Sequence, residues 1–185
     1  MKKISEIDSF LKSGVIFTPA VVGYFIGEED KVGLGLRKKV SFGIGENLIA
    51  GIGGKVGDTL EIQGETFDQA MDREAKEEVE VIVTKKQAMG SVRFIFSRKP
   101  LDSKWNQRVG IYLITRWKGE LKETESTKPL LFNVDNIPWD KMWADNKIWL
   151  PKVLQRQKVS ATFLFDDDNK VKEYRFEKDQ KNKFL

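Results

Sequence analysis

Apolar and polar positions along the chain alternate in short runs separated by turns, with three stretches at helical spacing. Ile4, Ile7, Phe10 and Leu11 mark a short amphipathic helix over residues 4–12, which Gly14 ends. Residues 19–26 and 31–37 read as strands joined by a turn at Gly27-Glu28-Glu29-Asp30. A glycine-rich loop follows, over 38–54, and glycine permits close backbone approach. Further strands are expected over 88–96, 108–117 and 130–134, the first with Val92, Phe94 and Phe96 on one face. An aromatic, polar loop over 139–149 leads to a helix over 150–158 with Pro151 in its first turn. Residues 159–165 and 170–176 alternate apolar and polar residues and form a hairpin with a turn over 166–169. One domain over 19–178 is therefore expected, with a helical extension at 1–18 and a polar tail at 179–185.

The most informative stretch is the helix that starts near Thr66. Thr66 and Gln69 are spaced as a capping box. Phe67, Ala70, Met71, Ala75 and Val79 fall on a core-facing stripe. Glu74, Glu77 and Glu78 crowd into one arc on the other side. Like charges at this spacing repel, and the helix C-terminus disfavours anions further. Such a local conflict marks a candidate site. A hard divalent cation, Mg²⁺ above all, resolves it, because Mg²⁺ takes oxygen ligands and bridges carboxylates to phosphates. The bland alternative is a solvated acidic face neutralised by Arg73 and Lys76.

Composition narrows the chemistry. At 185 residues, with 40% hydrophobic and 32% charged content, the chain fits one globular domain. No apolar run is long enough to span a bilayer, and the start has no signal-like stretch, which suits a cytoplasmic protein. Cysteine and histidine are both absent. That removes disulfides and thiolate chemistry, and it leaves carboxylate, lysine, tyrosine or metal-bound hydroxide as general base. A net charge of +4 favours anionic ligands, but the basic residues are spread out, which argues against nucleic acid as the main partner.

Gly53-Gly54, Glu65 and Arg73-Glu74-Ala75-Lys76-Glu77-Glu78 together resemble the Nudix box, Gly-x5-Glu-x7-Arg-Glu-U-x-Glu-Glu-x-Gly-U with U aliphatic. The chain departs from it twice. Ten residues separate Gly54 from Glu65, and Glu80 stands where the family has glycine. The resemblance reaches from about Pro19 to Phe176. Gly51-Ile-Gly-Gly-Lys-Val56 and Met142-Trp-Ala-Asp-Asn146 are similar to the branch of the family that sanitises oxidised purine nucleotides. It implies an α/β fold, an α/β/α sandwich around a mixed sheet. It also implies Mg²⁺-dependent (or Mn²⁺-dependent) cleavage of a nucleoside triphosphate such as 8-oxo-dGTP to the monophosphate and pyrophosphate.

By position, the resemblance makes Glu74, Glu77, Glu78 and the Gly53 carbonyl the metal ligands. Glu77 or Glu78 would orient or deprotonate water, and the sequence leaves that choice open. Arg73 would pair with Glu65. Arg37 and Lys55 would meet phosphate oxygens, Trp143 would stack on the purine, and Asp145 and Asn146 would read its edge. Phe42, Phe94 and Phe96 match pocket aromatics, or else serve as core. Asn146 replaces an acid, Ala50 replaces a purine-binding asparagine for which Asn47 is a nearby substitute, and Ser126 replaces a later acidic ligand whose role Glu123 or Glu125 would take. These departures keep two alternatives open: a Nudix pyrophosphatase for another nucleotide, or a nucleotide- or RNA-binding module without turnover.

Overall fold

The computed structural model describes residues 5–38, 47–57 and 64–177. Phe42 and residues 58–63 of the spacer before Glu65 lie outside the described residues. Strands β1 (Thr18–Ile26), β2 (Lys31–Arg37), β3 (Ile49–Ala50), β4 (Ile82–Phe96), β5 (Gln107–Lys118), β6 (Thr127–Asn133), β7 (Val159–Phe165) and β8 (Val171–Phe176) join in one mixed sheet. The β1–β5 and β4–β7 pairs are parallel and the other pairs antiparallel.

Helices α1 (Glu6–Lys12) and α2 (Phe67–Val79) lie on one face of the sheet and α3 (Asn146–Leu154) on the other. Strand alternation explains how both faces are filled. On β5, Tyr112 and Ile114 pack with Met71, Ala75 and Val79 of α2. Ile111 and Leu113 point the other way, into the larger core with Trp149, Leu150 and Val153 of α3. Ile7 of α1 packs on Ile95 and Leu164. Glu173 of β8 receives the Ser5 hydroxyl and the Glu6 amide, so α1 is tied to the far edge of the sheet. Among the described residues no helix is long and apolar enough to cross a membrane.

The α2 capping box is present in both directions, between Thr66 and Gln69. Glu80 adopts the left-handed conformation at the helix end, φ 57°, that the family's glycine would adopt. Several boundaries differ from the sequence expectation: α3 ends at Leu154 rather than 158, β6 starts at Thr127 rather than 130, and the short strand β3 falls inside the expected glycine-rich loop. Helix α3 starts at Asn146, four residues early, and carries Pro151 in its interior. The fixed φ of proline suits the helix, but the bond to the Lys147 carbonyl is given up and the ring crowds that carbonyl. Strand β4 begins at Ile82 rather than 88, through a polar stretch with register shifts near Lys85 and Ala88.

Candidate active site

The segment after β3 is wedged between β2 and β1. The Val21 amide donates to the Gly54 carbonyl at 2.8 Å, and Gly23 and Ile52 exchange bonds at 2.7 and 2.9 Å. A side chain at Gly53 would clash with backbone, and one at Gly54 would push the Glu74 carboxylate aside. A Cβ on Gly53 would stand 2.1 Å from the Val21 carbonyl oxygen, and one on Gly54 would stand 2.5 Å from a Glu74 carboxylate oxygen. The two glycines therefore bring backbone against the acids of α2.

Those acids diverge. Glu74 and Glu78 are buried and line a cavity of about 420 Å³. Burial pushes the Glu74 carboxyl up to about 7, with Glu78 and Glu77 adding repulsion against the pull of Arg73. Glu78 is also raised, chiefly by burial, despite Arg37 and the Gly53 amide. Glu77 is exposed and lies outside that cavity. It borders a more open depression with Lys38, Glu80, Glu123, Thr124, Glu125 and Ser126, where Glu123 pairs with Lys38 at 2.6 Å.

Arg73 ties the acidic segment together. It donates to both Glu65 oxygens at 2.8 and 3.0 Å, to Glu74 at 2.9 Å, to Glu77 at 3.0 Å and to the Lys55 carbonyl at 2.8 Å. Its guanidinium holds the Glu65 carboxyl below the ordinary range. Arg37 reaches in from β2. Its Nη1 lies 2.5 Å from Glu78 Oε1 and its Nη2 lies 2.7 Å from the Gly53 oxygen, while the Gly53 amide donates to Glu78 Oε2 at 3.0 Å.

The same cavity runs past Lys55 and Ala50 to an aromatic end. Phe94, Phe96, Trp105, Trp143 and Phe165 wall it. Phe96 stacks on Phe165 at 4.8 Å, and Trp143 meets both edge-on at 5.9 and 5.7 Å. Asp145 and Asn146 form the polar floor with Tyr24. The Trp149 indole donates to Asp145 at 2.7 Å, and the Tyr24 hydroxyl donates to Asn146 Oδ1 at 3.5 Å. Burial raises Asp145 to about 6, against the indole bond, and raises Tyr24 as well, with Asp145 adding to the rise.

The structure thus gathers Arg37, Gly53, Lys55, Glu74, Glu78, Phe94, Phe96, Trp143, Asp145 and Asn146 round one cavity. Asn47 is an exposed turn residue and does not line it. Sequence reasoning missed Tyr24, Trp105 and Trp149. Trp149 ends the aromatic loop expected over 139–149, whereas Tyr24 reads as an ordinary core position of β1.

The chain is 31% identical over 147 residues to the oxidized purine nucleoside triphosphate hydrolase of Danio rerio, a match covering 80% of this chain and 86% of that one. It is 30% identical over 149 residues to the protein of the same name from Mus musculus, with the same coverage. The chain belongs to the Nudix hydrolase family. As a Nudix hydrolase it also shares its fold with the MutT protein of Bacillus halodurans, with a TM-score of 0.70 and 21% identity, over 87% of this chain and 98% of that one. The NUDIX domain of Shewanella oneidensis NrtR, solved with ADP ribose, gives a TM-score of 0.57 at 15% identity, over 83% and 99%. No protein-family model matches the chain.

Nudix hydrolases generally use divalent metal ions. The donors at the acidic end are all oxygens, namely the Glu74 and Glu78 carboxylates and the Gly53 carbonyl, and both carboxyls are strained by burial. That donor set fits a hard cation. Among the described residues no three acids have already converged as a ready-made ligand cluster. The Arg37 guanidinium occupies the space between Glu78 and the Gly53 oxygen.

Proposed function

We propose that this Nudix hydrolase cleaves oxidised purine nucleoside triphosphates, such as 8-oxo-dGTP, to the monophosphate and pyrophosphate with Mg²⁺. One observation carries the reading: a single cavity joins the buried acids at one end to an aromatic wall and a polar floor at the other. Its volume, about 420 Å³, suits a small ligand.

Glu74, Glu78 and the Gly53 carbonyl would hold the metal. When bound, Mg²⁺ neutralises charge developing on phosphate and makes water a better nucleophile. The chain's own residues do the rest. Arg37 and Lys55 meet phosphate oxygens, Arg37 as a two-pronged donor. Trp143 stacks on the base, a contact worth about 1–3 kcal/mol in single-strand binding proteins. Asp145 and Asn146 read the purine edge, and Asn146 offers both a donor and an acceptor. Glu78 is the better placed of the two acids to hold the attacking water, because it lines the cavity and Glu77 does not.

The test is pyrophosphate release with Mg²⁺ across normal and oxidised nucleotides, for the wild type, Glu78→Gln and Glu77→Gln. Preference for oxidised purines and a larger loss of kcat for Glu78→Gln are expected. A preference for unmodified or sugar nucleotides would replace the reading with the second one, a Nudix pyrophosphatase for another nucleotide. Ala50 favours that second reading, since it brings no polar group to the cavity.

A further inference from the structure

We infer that Arg37 is a resident cation which closes the metal site, and that metal and polyphosphate enter it together because the phosphate draws Arg37 away. The inference rests on the reading of Glu74, Glu78 and Gly53 as the metal-binding set.

The geometry begins with a fixed backbone. Arg37 ends β2, its amide donates to the Leu48 carbonyl at 2.9 Å, and its own carbonyl accepts from the Asn47 amide at 3.0 Å. The side chain is held by its two bonds, to Glu78 and to Gly53. In this structure it spans 41 residues of sequence to reach Glu78. Its two nitrogens lie 2.5 Å from Glu78 Oε1 and 2.7 Å from the Gly53 oxygen. The second Glu78 oxygen accepts the Gly53 amide at 3.0 Å. Arg37, Glu78 and Gly53 therefore form a closed ring of bonds in which both Glu78 oxygens and the Gly53 carbonyl are engaged.

A Mg²⁺ ion requires oxygens at about 2.0–2.1 Å in near-octahedral array. Glu78 Oε1 and Gly53 O each already accept one bond from the guanidinium, and a second, divalent cation on the same two oxygens would meet its like charge at close range. The two cations compete for the same oxygens. Once displaced, the guanidinium needs another anion, and its planar fork suits a phosphate. The cavity it borders is the one assigned to the nucleotide. Any ligand that binds Arg37 better when the arginine is off Glu78 must strengthen metal binding, and the metal must strengthen that ligand in return.

The experiment counts Mn²⁺ bound to nucleotide-free protein, by the electron paramagnetic resonance signal of the free ion. It compares the wild type, Arg37→Gln and Arg37→Lys, with circular dichroism and a thermal melt as checks of the fold. Arg37→Gln should bind Mn²⁺ about tenfold or more tightly than the wild type, within the range common for coupled sites. Arg37→Lys, which keeps the charge but not the fork, should fall between them. Equal Mn²⁺ affinity and stoichiometry in the wild type and Arg37→Gln would overturn the inference while leaving the metal site standing. No Mn²⁺ bound by any of the three would overturn the metal reading itself. If Arg37→Gln does not fold, Arg37→Lys decides by the same comparison with the wild type.

Discussion

Asp145→Asn isolates the most heavily buried acid of the cavity. Asp145 is 1% exposed and its carboxyl titrates near 6 rather than at its ordinary 3.8, because burial penalises the charge more than the Trp149 indole stabilises it. Between those two values the folded protein keeps a proton that the unfolded chain has lost. Stability from this group is therefore complete below about pH 4, falls as pH rises, and is lost above about pH 6. A rise of that size corresponds to about 3 kcal/mol. Asparagine keeps an acceptor for the Trp149 indole and never ionises. Urea unfolding of both proteins from pH 4 to 8 gives the stability of the variant minus that of the wild type. Taking the difference cancels Glu74 and Glu78, which titrate in both proteins. It should rise by about 2 kcal/mol between pH 4 and 6 and level off above pH 7. A difference that stays flat or falls with pH would refute the idea that burial sets the charge of this carboxyl.

Three other perturbations follow from the same geometry. Arg73→Ala strips the charged partner from Glu65 and should cost about 2–4 kcal/mol in urea unfolding; a cost under about 0.5 kcal/mol would mean the pair is a surface bridge. Trp143→Ala should raise KM for an oxidised purine nucleotide about tenfold or more with a smaller change in kcat, and an unchanged KM would remove this ring from base binding. Gly53→Ala sets a Cβ 2.1 Å from a backbone oxygen that the sheet holds in place, so a clear drop in Tm and in activity is expected, checked by thermal melt and pyrophosphate release.

Local signals in the sequence located much of this fold. The Thr66–Gln69 box positions α2, and apolar–polar alternation on either side of a turn positions β7 and β8. The failures share a cause. The start of β4 carries Thr84, Lys85, Lys86 and Gln87, polar on both faces, so no alternation could show it. Strand β6 contains Pro129, which reads as a break but is tolerated because β6 pairs only with β2. Pro151 read as a helix start, and the helix formed round it. For the site, spacing along α2 revealed the crowding of acids but not which of them turn inward. Arg37 and Tyr24 lie on other strands, far from the residues they meet, and no local pattern encodes such contacts.

Strand β1 joins the two ends of the cavity. Its odd positions Val21 and Phe25 pack toward α2, and its even positions Ala20, Val22 and Tyr24 line the cavity. The backbone of the same residues holds the Gly53 loop, through Val21 to Gly54 and Gly23 to Ile52. One strand thus fixes the Gly53–Gly54 loop by its backbone and the polar floor by its side chains. A slip of one residue would turn Tyr24 to the α2 face and detach both ends at once. The distance between the acids and the polar floor is set by β1 and not by a loop. Under the proposed reading, a ligand must match both ends to be held, and a bare polyphosphate or a bare base engages only half of what this strand positions.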